Sequence, residues 1–202
     1  MSERDEDVFL NDYFGDETGY FVDIGANNGV KGSNTLRLLC NGWSGLMVEA
    51  DPFTYSHLLA NFAEHKRVRL LHAAISDRTG SIEFYSEQKA LCSGWSTAVR
   101  LERDHIDSEN SAKFVTCMVP SFTLNDVLRS QPPVDFLTID TEGMDATILE
   151  AWDAGTYRPR LIMAETACAV VPDAAERIGG VMVKAGYVEV YRNEANTAWE
   201  RT

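Results

Sequence analysis

Positive charge is scarce in this chain of 202 residues: 18 Lys and Arg stand against 31 Asp and Glu, a formal net charge of −13. Such a surface repels a phosphate backbone, so no nucleic-acid partner is expected. The densest basic cluster, Lys66, Arg67 and Arg69, reads as a solvated face. The four cysteines, Cys40, Cys92, Cys117 and Cys168, are far apart and form no CxxC pair. Without paired ligands or a matching histidine pair, no metal centre is expected. No apolar run is long enough to span a bilayer, and the first seven residues are acidic rather than basic. Neither a membrane span nor a signal peptide is therefore expected, and the reading is a soluble, cytoplasmic protein with reduced thiols. Internal repeats and low-complexity tracts are missing as well. So is the G-x-G-x-x-G turn, which removes a nicotinamide oxidoreductase from consideration.

What is present is ordinary globular composition, with 45% hydrophobic and 24% charged residues, enough for one compact core and too short for two. The expectation is a single domain over 1–202, with an N-terminal helix within 1–18. Short apolar runs alternate with helical stretches, the signature of a parallel α/β sheet. Strands are expected at 20–24, 45–49, 68–71, 134–140 and 160–165. Helices are expected at 5–14, 34–40, 53–64, 146–152 and 173–185. A closing antiparallel pair at 187–191 and 197–200 brings the sheet to seven strands. An inserted strand pair, 81–85 and 114–119, breaks the alternation, and the polar stretch 86–113 between its strands reads as a lid-like loop. Thr123, with Asp126 three residues on, predicts a capped helix to Leu128.

The chemistry gathers at strand ends. Phe21-Val22-Asp23-Ile24-Gly25-Ala26-Asn27-Asn28-Gly29 is a strand closing in an acid and a two-glycine turn. Glycine lets the backbone approach a ligand, and the following helix is expected to present its free N–H groups. A carboxylate ahead of the first glycine repels a pyrophosphate but suits an ammonium or sulfonium. Glu49, 20 residues beyond Gly29, stands where an acid accepts from ribose hydroxyls. Asp51-Pro52 fixes the next turn and offers a rim for an adenine ring, and Ala73-Ala74 would border the ring edge. Asp140, Glu142 and Glu165 end later strands and should face the same crevice, which suits proton abstraction or cation binding. For Glu142 a helix-capping role stands equally open. His57 and His65 read as solvated, and Trp95 as a pocket lining or an aromatic packed under a loop.

These stretches, together with Glu6-Asp7-Val8-Phe9-Leu10, Gly32-Ser33-Asn34-Thr35, Gly42-Trp43-Ser44-Gly45, Ala73-Ala74-Ile75-Ser76-Asp77, Thr123-Leu124-Asn125-Asp126 and Ile139-Asp140-Thr141-Glu142-Gly143, resemble the FkbM-type methyltransferases from about Glu6 to Glu165. The resemblance implies a Rossmann-like class I methyltransferase fold and S-adenosylmethionine as cofactor. It also implies O-methylation of a sugar or another small molecule. On this reading Asp23, Gly25, Ala26, Asn27, Gly29, Glu49, Ala50, Asp51, Ala74 and Asp140 contact the cofactor. Asp140, Glu142 and Glu165 are the candidates for the catalytic base. Met144-Asp145 departs from the family's usual small residue and Glu. The alternatives carried are a non-catalytic adenosine-binding module and a nitrogen acceptor.

Overall fold

The computed structural model describes residues 5–87, 97–98, 114–169 and 171–202. The stretch 88–96, Trp95 included, and most of the expected lid lie outside the described residues.

Seven strands form the main sheet: β1 (Tyr20–Ile24), β2 (Ser44–Glu49), β3 (Val68–His72), β7 (Phe136–Ile139), β8 (Leu161–Glu165), β9 (Tyr187–Arg192) and β10 (Asn196–Arg201). Their order is β3-β2-β1-β7-β8-β10-β9. The first five run parallel, and β10 pairs antiparallel with both β8 and β9. The inner strands β1, β2, β7 and β8 are almost wholly buried, as the apolar runs in the sequence require.

The strands present opposite faces to two helical layers. Leu10 and Phe14 of α1 (Glu6–Phe14), Leu38 and Leu39 of α2 (Leu36–Cys40), and Leu58 and Phe62 of α3 (Pro52–Phe62) pack with Phe21 and Met47 on one face. On the other, α4 (Leu124–Arg129), α5 (Asp145–Glu150) and α6 (Ala174–Lys184) bury Leu124, Ile148 and Ile178 against Val22, Val48 and Ile139. This is a doubly wound sheet, and the strand order reverses between β1 and β7.

The expected strand pair is there as β5 (Gly80–Glu87) and β6 (Phe114–Thr123), antiparallel from Gly80↔Ser121 to Glu87↔Phe114. It belongs to a separate three-stranded sheet, in which β4 (Ala74–Ser76), not among the expected strands, adds in parallel to β6. Thr123 and Asp126 do form a reciprocal capping box on α4.

Several boundaries move, two of them for local reasons on helices α2 and α3. Helix α2 starts at Leu36 rather than Asn34, since Ser33 Oγ takes the Thr35 and Leu36 N–H groups. Helix α3 starts at Pro52, because Asp51 caps it by accepting from the Phe53 and Thr54 N–H groups. Strand β7 stops at Ile139, leaving Asp140 outside it. His57 and His65 are half-buried, not solvated, and their rings meet Phe53 and Phe62 edge-on. Arg67 leaves the basic cluster to donate to the Trp43 and Leu39 carbonyls.

Candidate functional site

A cavity of about 300 Å³ opens over the carboxyl ends of β1, β2, β7 and β8, at the point where the strand order reverses. It brings together Asp23, Gly25, Ala26, Asn27, Glu49, Ala50, Asp51, Ala74, Asp140, Glu142 and Glu165, eleven of the twelve residues expected there. Gly29 is the exception. With φ +73° it packs on α3, where a β-carbon would lie 2.4 Å from the Phe62 ring. A glycine there lets the turn close on the helix.

Gly25 does shape the site. Its φ is +84°, and a β-carbon there would sit 1.7 Å from the Asp140 carbonyl oxygen. Only glycine lets the β1 turn lie so close to the β7 turn.

Glu49 is 8% exposed, and its carboxylate is gripped at both oxygens: Asn27 N–H donates to Oε2 at 2.8 Å and Asp51 N–H to Oε1 at 2.7 Å. Burial nevertheless pushes its carboxyl up to about 7, with the neighbouring Asp51 charge adding to the shift and those N–H groups opposing it. Asp23, 5% exposed, accepts from the Thr35 hydroxyl at 2.5 Å. Burial raises it too to about 7, opposed by that hydrogen bond and reinforced by the charge of Asp140.

The β7 turn is tied from two sides. Thr141 donates its hydroxyl to Asp145 Oδ2 at 2.7 Å and its N–H at 3.2 Å, and Thr97 Oγ1 donates to the Glu142 carbonyl at 2.8 Å. Asp145, buried at the start of α5, is pushed to about 7 by burial and then by the charge of Asp140. Glu142 has φ +53°, and Asn27 has φ +52°. Among the described residues these are the two non-glycine residues in this sparsely populated conformation, and both line the cavity. Glu142 does not cap α5, whose N-cap is Met144.

The backbone donors of the glycine turn are already used. Gly25 and Ala26 N–H donate to the Val48 carbonyl, Asn28 N–H to Asn27 Oδ1, and Gly29 N–H to the Ala26 carbonyl. Val30 and Lys31 N–H donate to Asn28 Oδ1.

Sequence reasoning missed Glu6, Lys31, Asn34 and Asn196 as lining residues. Glu6 comes from α1 and is 2% exposed, with the side-chain amides of Asn193 and Asn196 donating to its Oε1 at 2.8 and 2.9 Å. Among the described residues, seven carboxylates line the cavity: Glu6, Asp23, Glu49, Asp51, Asp140, Glu142 and Glu165. Lys31 is the one basic side chain among the described lining residues. The same described residues contain no group of three or more His, Cys, Asp or Glu arranged to hold a metal ion. No helix among them is long and apolar enough to cross a membrane.

No curated protein matches the chain. Among solved structures, an FkbM methyltransferase from Methylobacillus flagellatus KT superposes with a TM-score of 0.61 at 11% identity, covering 98% of this chain and 48% of that one. This chain thus spans about half the length of that protein. A precorrin-6y C5,15-methyltransferase from Geobacter metallireducens GS-15 gives 0.53 at 13% identity, covering 100% of this chain and 90% of that one. At such identities the likeness is one of fold, the Rossmann-like class I methyltransferase fold. The family assignment comes from the sequence itself: the methyltransferase FkbM domain matches residues 23–183, and the chain belongs to that family.

Proposed function

We propose that this protein is an S-adenosylmethionine-dependent methyltransferase acting on a hydroxyl of a sugar-like or other small molecule. The methyltransferase family carries S-adenosylmethionine as its cofactor. The observation that carries the reading is the cavity's charge: seven carboxylates around about 300 Å³ suit a ligand with two cationic centres, a sulfonium and an ammonium. The Gly25 turn supports the same reading, since a side chain there would close the approach between β1 and β7.

When bound, this cofactor supplies an electrophilic methyl carbon on a sulfonium leaving group. In the reading, Glu49 accepts from the ribose hydroxyls with the lone pairs its two N–H donors leave free. Asp23, with Asp140 beside it, holds the ammonium. Ala50 and Ala74 border the adenine. The remaining task of the chain is to hold the acceptor oxygen in line with the methyl carbon and sulfur, and to take its proton as the oxygen–carbon bond forms and the carbon–sulfur bond breaks. Asp140, Glu142 and Glu165 are the carboxylates at hand for that proton. Screening sugars, nucleosides and small phenols for labelled methyl transfer tests the proposal. Transfer to a hydroxyl supports it, and transfer only to nitrogen compounds, or binding without transfer, contradicts it.

A further inference from the structure

We propose that Lys31 receives the carboxylate of the cofactor's amino-acid portion, an inference that rests on the cofactor reading above. That portion is a zwitterion, so the site must satisfy a carboxylate as well as an ammonium. The charged part of the cavity wall mostly does the opposite, since seven acids line it. An anion in such a place needs either backbone N–H groups or a cationic side chain.

The glycine turn does not offer the donors. Every N–H from Gly25 to Lys31 already donates within the protein, and so do those of Thr35 and Leu36, which open α2. The loop is stiffened into this self-satisfied form by Asn28, whose Oδ1 takes two N–H groups and whose carbonyl accepts from Asn61 Nδ2 at 3.0 Å. The turn is therefore no anion cradle. Lys31 stands at its end, exposed, and lines the cavity beside Gly32, Ser33 and Asn34. The same segment delivers Thr35 to Asp23, the group assigned to the ammonium. Asp23 and Lys31 thus both line the cavity, with the opposite charges that the ammonium and the carboxylate of one zwitterion require. An exposed lysine is a screened charge, so the expected contribution is modest and salt-dependent.

The test is calorimetric titration of the wild type, Lys31→Gln and Lys31→Arg with two ligands. S-adenosylhomocysteine carries the amino-acid carboxylate, whereas 5′-methylthioadenosine keeps the adenosine and thioether and lacks it. The expected result at low salt is roughly a five- to tenfold loss of S-adenosylhomocysteine affinity in Lys31→Gln, narrowing as salt is added. The same variant should bind 5′-methylthioadenosine within about twofold of wild type, and Lys31→Arg should bind both ligands nearly normally. Full affinity of Lys31→Gln for S-adenosylhomocysteine overturns the assignment, and so does an equal loss for both ligands, which would mark damage to the loop. A wild type that binds neither ligand overturns the cofactor reading itself, and this inference with it.

Discussion

The carbonyl oxygen of Asp140 fills the space that a β-carbon on Gly25 would need, 1.7 Å away. This contact joins the turns after β1 and β7 and sets the floor of the cavity. Gly25→Ala would meet both that clash with backbone and an unfavourable φ of +84°. We expect a loss on the order of 3 kcal/mol, a fall in Tm of roughly 6–12 °C for a domain of this size. Thermal denaturation checks it, and an unchanged Tm would show that the two turns are free to separate.

Three buried acids, Asp23, Glu49 and Asp145, titrate near 7 because burial penalises their charged forms. In the unfolded chain they ionise near 4. Between about pH 4 and 7 the native state therefore holds more protons, so stability is greatest in mild acid and falls as pH rises through about 7. Each group costs on the order of a few kcal/mol at pH 8 relative to pH 4. Denaturant unfolding of the ligand-free protein at pH 5 and pH 8 should show the higher stability at pH 5. The reverse order would mean that these carboxyls are charged in the fold throughout.

The same groups link binding to pH with the opposite sign. A cationic ligand favours the ionised form of Asp23, so its binding should release protons near pH 7 and tighten from pH 6 to pH 8. Calorimetry of S-adenosylmethionine binding in two buffers of different ionisation enthalpy measures the release directly. Heats that do not depend on the buffer would argue that Asp23 is not where the ammonium rests.

For the acceptor proton, Asp140→Asn, Glu142→Gln and Glu165→Gln should be compared at saturating cofactor once an acceptor is in hand. One of the three should lose turnover by roughly 10²–10⁴-fold, the range for positioned proton transfer. Near-normal turnover in all three would leave catalysis to alignment alone.

Much of the fold was legible because buried parallel strands announce themselves as apolar runs such as Phe21-Val22-Asp23-Ile24 and Phe136-Leu137-Thr138-Ile139. The strand-end acids followed from the same logic, since an open α/β sheet gathers its ligands at carboxyl ends. What failed was decided by tertiary neighbours. Gly25 and Gly29 look alike in the sequence, yet one faces Asp140 and the other the Phe62 ring. The helix after the glycine turn read as offering free N–H groups, but Ser33 takes those of Thr35 and Leu36, and in the turn Asn28 takes those of Val30 and Lys31, through local side-chain bonds that composition does not signal. Glu6 reaches the cavity because Leu10 and Phe14 anchor α1 on the sheet, and its partner Asn196 lies 190 residues away. No local pattern links such a pair. Ala74 to Ser76 pairs with β6 across the whole insertion, which is equally invisible locally.

The most direct measurement of the central claim is calorimetric titration of S-adenosylmethionine into the wild type and Glu49→Ala. The account predicts one-to-one binding by the wild type. In the variant it predicts a loss of about 1–3 kcal/mol, because the Asn27 and Asp51 N–H groups and the ribose hydroxyls lose their shared acceptor. A wild type that does not bind, or a folded Glu49→Ala with unchanged affinity, would contradict it.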